Sequence, residues 1–162
     1  MVNIVIMRHG EAEPMKNPDS QRQLTARGKQ DTLLMANWLQ RISSRFSWVL
    51  TSPYQRTLQT AELMYSKQGP LCQLETLSYL VPEGNASHIR DVVDIKLNEQ
   101  PAAKILLVSH MPLVSFLVET FTQPGLAPVF NTAGVCCIDY RPAHGGRLLE
   151  KVSPHELALL SH

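Results

Sequence analysis

Val2 to Met7 is a short, β-branched and nearly all-apolar run, the pattern of a strand buried on both faces. Phe46 to Thr51 and Lys104 to Ser109 repeat that pattern and predict two further buried strands. Between them the apolar spacing becomes helical. Thr25 suits the N-cap of a helix running to about Arg41, with Leu34, Trp38, Leu39 and Ile42 on one apolar face. Ser52-Pro53-Tyr54-Gln55 reads as the next helix start, with Ser52 at the N-cap, Pro53 at the first helical position and Gln55 closing a capping box. That helix should reach about Ser66, before Gly69-Pro70. Asn85 to Asn98 predicts a helix with Ile89, Val92, Val93 and Leu97 inward, and Pro112 to Phe121 predicts another. Glu11 to Gln23 is polar, contains Pro14 and Pro18, and reads as loop, as does Gly125 to Asn131. Leu74 to Leu80 fits either an extended segment or a loop. Gly134 to Tyr140 and Arg147 to Val152 read as strands around a turn at Pro142 to Gly146, and Ser153 to Glu156 as a capping box opening a short terminal helix. Alternating strands and helices imply a three-layer α/β fold. Its central sheet should be mostly parallel, with helices on both faces and an antiparallel hairpin added at the end. The chain has no repeats or linkers, so residues 1–162 are expected to form one domain.

Composition narrows the function. Apolar residues make up 44% and charged residues 18%, as in a globular domain, and the formal net charge is +1. That balance argues against a nucleic-acid partner while leaving room for a local cationic pocket. No apolar run is long enough to span a membrane, and the N-terminus lacks the marks of a signal peptide. The Asn85-Ala86-Ser87 sequon is therefore read as chance. The three cysteines, Cys72, Cys136 and Cys137, are too few and too unevenly placed for a disulfide framework. They are expected to be reduced, in a cytoplasmic protein, with adjacent Cys136 and Cys137 pointing to opposite faces of a strand. No cysteine–histidine set has zinc spacing.

Candidate chemistry gathers at one structural address, the C-terminal end of each buried strand. Arg8-His9-Gly10 follows the first, Ser52 to Arg56 the second and Ser109-His110 the third. Ligands of open α/β sheets bind beyond those ends. Arginine presents a fork of donors matched to phosphate oxygens, and neutral imidazole is a competent nucleophile at pH 7. Gly10 allows close backbone approach to a ligand. Arg56 would stand in the first turn of a helix, where the dipole disfavours a cation; an anion between the helix start and the guanidinium would resolve that conflict. Trp38, Trp48, Met7, Met35 and Met64 read as core. His88, His144, His155 and His162 read as surface, and Lys16 as a solvated charge beside the site that is able to touch a protein partner.

Arg8-His9-Gly10-Glu11 resembles the signature of the histidine-phosphatase (phosphoglycerate-mutase-like) superfamily. Leu24-Thr25-Ala26-Arg27-Gly28, the Ser52–Ala61 stretch and Val108-Ser109-His110 follow in that superfamily's order, over residues 1 to about 120. Within it the chain is most similar to the small bacterial phosphohistidine phosphatases, in its length, in Arg22 before Leu24-Thr25, in Met35 to Leu39 and in Ser109 to Val114. The resemblance implies that His9 is the nucleophile and that Arg8, Arg56 and a protonated His110 hold the phosphoryl oxygens. Arg22 is a further phosphate or substrate contact. No metal or cofactor is implied, because the arginines supply the positive charge. Met15 stands where mutases carry Asn, and Met111 where acid phosphatases carry Asp. Glu83, in Pro82-Glu83-Gly84, lies near the place where other members keep a general acid. A chain this short has no cap domain, so the expected substrate is phosphohistidine on a protein, a histidine-phosphotransfer domain or a phosphocarrier, met by a monomer. The alternatives are a small-molecule phosphate-monoester phosphatase or mutase, and a non-catalytic phosphoprotein-binding module.

Overall fold

The computed structural model describes residues 1–15, 17–43 and 45–160, with the side chain of the last left out. Lys16 and His162 lie outside the described residues. Six strands form one sheet in the order β3-β2-β4-β1-β5-β6: β1 Ile4–Arg8, β2 Trp48–Thr51, β3 Gln73–Thr76, β4 Ile105–Ser109, β5 Val135–Arg141 and β6 Gly145–Val152. β1 to β4 pair in parallel, and the β5–β6 hairpin is antiparallel. The segment with two sequence readings is thus both: β3 pairs at the sheet edge, and a 3-10 turn follows at Ser78–Leu80.

Strand alternation sorts side chains into two cores. Ile4, Ile6, Leu50, Ile105 and Leu107 face helices α3 (Ala86–Glu99) and α4 (Leu113–Phe121), while Val5, Met7, Val49, Leu106 and Val108 face α1 (Ala26–Ile42) and α2 (Gln55–Tyr65). This is the expected three-layer arrangement. A short helix α5 (Pro154–Leu160) closes the described chain behind a Ser153–Glu156 capping box. Cys136 and Cys137 fall in opposite cores, and all three cysteines are unpaired and buried.

Two local expectations change. The buried stripe of α1 is Gly28, Thr32, Met35, Ala36 and Leu39; Ile42, expected inward, is exposed, and Leu34 and Trp38 are half-buried. The stripe turns because the helix start must press its glycine against the loop after β1. Ser52 is not a helix cap. α2 begins later, with Tyr54 at the N-cap and no side-chain cap bond, so no capping box forms. Ser52 is pinned instead by its backbone bond to Val108 and accepts from Tyr54 N through Oγ.

Candidate active site

Register brings the motifs together. Arg8 pairs with Ser109 across β1 and β4, so His9 and His110 leave adjacent strands at the same level. Thr51 pairs with Val108, which sets Ser52 beside them. The two imidazole rings lie 5.3 Å apart, centroid to centroid.

His9 is held in one tautomer. Its Nδ1 lies 2.7 Å from the Gly10 carbonyl, which can only accept, so Nδ1 carries the proton. Nε2 therefore presents a lone pair, and Arg56 Nε donates to it at 3.3 Å. Burial and the charges of Arg56, Arg8 and Arg22 outweigh the Gly10 bond and push His9 down to about 4. It is neutral, and so nucleophilic, at pH 7.

His110 corrects the sequence reading in one respect. Burial, then His9 and the three arginines, pushes it down to about 2, so it is neutral rather than protonated in the free protein. Ser52 supplies an alternative to charge. Its Oγ is 2.8 Å from His110 Nε2 and already accepts from Tyr54 N; donating its proton to Nε2 leaves the imidazole proton on Nδ1. A neutral His110 then still offers a donor. Among the described residues, Nδ1 of His110 and Nε of Arg8 are buried with no hydrogen-bond partner. Buried polar atoms in that state call for an explanation, and an oxyanion beside His9 would supply their acceptors. Arg8 is also anchored by Nη1 to the Phe130 carbonyl, and Tyr54 packs between His110 and the Arg56 guanidinium.

The remaining expected residues divide. Arg22 reaches the site: it donates from Nε to the Glu13 carbonyl and from Nη1 to Asp19. Gly10 has a packing role in the free protein. A Cβ there would stand 2.7 Å from the Gly28 carbonyl oxygen and 2.9 Å from Thr32 Oγ1, so its smallness serves packing against α1. Its N–H bonds Thr60 Oγ1, and its carbonyl orients His9. Glu83 is exposed in the turn after Leu80 and, among the described residues, bonds neither histidine nor either of Arg8 and Arg56. His88, His144 and His155 are exposed, as expected.

The sequence pattern does not single out Asp19. It opens a 3-10 turn, Asp19–Gln21, inside the segment read as loop. Its carboxylate accepts from Arg56 Nη2 at 3.1 Å and from Arg22 Nη1 at 3.1 Å, and its carbonyl accepts from Arg56 Nη1 at 2.9 Å. The Arg56 guanidinium therefore already has an anionic partner within the chain. A signal existed, an acidic residue three positions before Arg22, but the loop hid how far it folds back.

The profile of the histidine phosphatase superfamily (branch 1) matches residues 4–80. The chain is 31% identical to phosphohistidine phosphatase SixA of Escherichia coli (strain K12), over 98% of both chains. This chain belongs to the histidine phosphatase superfamily. It is also 33% identical to a SixA homolog of Haemophilus influenzae, covering 72% of this chain and 75% of the other. A solved structure of the protein histidine phosphatase SixA complexed with tungstate superposes with a TM-score of 0.89 at 32% identity, covering 95% of this chain and 98% of that one. A mycobacterial glucosyl-3-phosphoglycerate phosphatase shares the fold alone, with a TM-score of 0.73 at 14% identity over 94% of this chain and 100% of that one.

Proposed function

We propose that this chain is a phosphohistidine phosphatase that removes the phosphoryl group from a histidine on another protein through a covalent phospho-His9 intermediate. The observation that carries the reading is the posture of His9: Nδ1 protonated on a backbone carbonyl, Nε2 unprotonated with its lone pair turned to Arg56 Nε, and guanidiniums from Arg8, Arg22 and Arg56 close enough to depress its pKa. The tungstate of the SixA complex, an oxyanion, supports a phosphoryl seat here, and near full-length identity to SixA supports the phosphohistidine substrate.

In the first step, a bond forms between His9 Nε2 and phosphorus while the bond from phosphorus to the substrate imidazole breaks. That imidazole leaves with a proton from solvent. Arg8, Arg56 and His110 Nδ1 hold the equatorial oxygens, so the protein's work is positioning and charge stabilisation. Water then attacks phospho-His9, releasing orthophosphate and restoring the free imidazole. An imidazole leaving group needs little help from a protein acid, in keeping with the exposed position of Glu83. The partner is a histidine-phosphotransfer domain or phosphocarrier. The sparse, odd cysteine count of the sequence favours work in the cytoplasm, and among the described residues no helix is long and apolar enough to cross a membrane.

The test compares turnover of a phosphohistidine protein with that of a panel of phosphate monoesters, and looks for acid-labile label on His9. Preference for the protein, with label lost in His9→Ala, is expected. Faster turnover of monoesters would move the enzyme to the ester-cleaving alternative, and retention of more than about a hundredth of the rate in His9→Ala would end the covalent mechanism, since an obligatory nucleophile outweighs acid–base help of about 10²–10⁴.

A further inference from the structure

Arg56 makes all its polar side-chain contacts without a substrate. Nε donates to the lone pair of His9 Nε2, the atom that must attack, while Nη1 and Nη2 are taken by the carbonyl and carboxylate of Asp19. Arg22 Nη1 holds the other carboxylate oxygen. His9, Arg56 and His110 are 7%, 4% and 1% exposed, whereas the Asp19 side chain is 34% exposed. The nucleophile is thus covered, and the residue that occupies its arginines lies at the surface, on a short 3-10 turn with no buried residue. Burial opposes ionisation of Asp19, but the hydrogen bonds from Arg22 and Arg56, with their charges, hold its carboxyl below the usual range. It is an anion at neutral pH.

We infer that Asp19 is an internal competitor for the phosphoryl seat: its carboxylate holds Arg56 and Arg22 between turnovers, must yield Arg56 when a phosphoryl group arrives, and retakes it to expel orthophosphate. The inference rests on the proposed reading of the site as a phosphoryl seat. It gives Asp19 control over oxyanion affinity. Two anions cannot share the Arg56 donors without strong repulsion, so the exchange is a trade of one charge-assisted pair for another. The incoming dianion wins by its greater charge and by reaching the unpartnered donors of Arg8 and His110, and the outgoing product loses because Asp19 is always at hand.

Asp19→Asn keeps the shape and removes the charge. Calorimetric titration with tungstate and with orthophosphate should show binding to the wild type and binding tightened by about tenfold in Asp19→Asn, equivalent to about 1.4 kcal/mol. Product inhibition by orthophosphate should strengthen by the same factor. Asp19→Glu, which keeps the charge, should stay near the wild type. If the wild type binds neither anion, the phosphoryl-seat reading itself fails. If it binds them and Asp19→Asn binds them equally or more weakly, Asp19 merely positions the arginines and the inference is overturned. Should the variants fold poorly, the wild type still decides: the side-chain carboxyl carbon resonance of Asp19 should shift on saturation with tungstate, and an unmoved resonance overturns the inference.

Discussion

At His9 the chemistry depends on a proton kept in the right place. The Gly10 carbonyl secures Nδ1–H, and burial among arginines keeps Nε2 unprotonated far below neutral pH. His110 reaches the same neutral state, yet Ser52 lets it donate. The two histidines share an environment and differ in the partner that fixes the tautomer. Glu83 belongs to neither arrangement. Glu83→Gln should change kcat/KM on a phosphohistidine protein by less than about tenfold, below the effect of about 10²–10⁴ usual for an acid catalyst. A loss of about a thousandfold, against the same variant's behaviour on a monoester, would make Glu83 the general acid.

The segment from Glu11 to Thr25 is the element that adapts the sheet edge to its task. It leaves β1, folds back through an Ala12–Leu24 antiparallel bridge and delivers Asp19 and Arg22 over Arg56. Its return is clamped where Thr25 N bonds the Glu11 carbonyl and Thr25 Oγ1 caps α1 by accepting from Gly28 N. Gly28 makes this clamp possible. A Cβ on it would run into the Glu11 carbonyl, and backbone cannot step aside as a flexible side chain can. Gly28→Ala should therefore cost about 1–3 kcal/mol, as overpacking does, despite alanine's better helix propensity. Urea unfolding measures this; an unchanged midpoint would mean that the helix start and the loop can separate freely.

Across the whole molecule, burying two histidines among arginines ties stability to pH. Both have folded-state pKa values, about 4 and about 2, below the value near 6.5 of the unfolded chain. The unfolded state therefore binds more protons in the interval between. The native state keeps its full stability above about pH 6.5 and loses it as pH falls, at up to about 1.4 kcal/mol per pH unit for each histidine. Denaturant titrations from pH 7.5 to 4.5 should show this decline, and His110→Gln should flatten it. An equal slope in the variant would locate the pH dependence elsewhere.

The strands, the Thr25 cap and the address of the site were legible because they are local. A continuous apolar run means a strand buried on both faces, and three such runs each ended in the residues now found within one cluster, His9, Arg56 and His110. The shared address of His9 and His110 follows from the rule for parallel sheets, and their rings lie 5.3 Å apart. What needed tertiary structure is what passes between segments distant in sequence. Ser52 looked like a cap because Ser-Pro at a helix start usually is one, but a partner 58 residues away claims its hydroxyl. The resemblance implies a protonated His110, whereas burial beside His9 and three guanidiniums, which lowers its pKa, is a property of the assembled site. Asp19 was invisible for the same reason. A loop's composition reveals that it turns, but the Arg56 that its carboxylate meets lies 37 residues further along the chain, and only the folded backbone brings the two charges together.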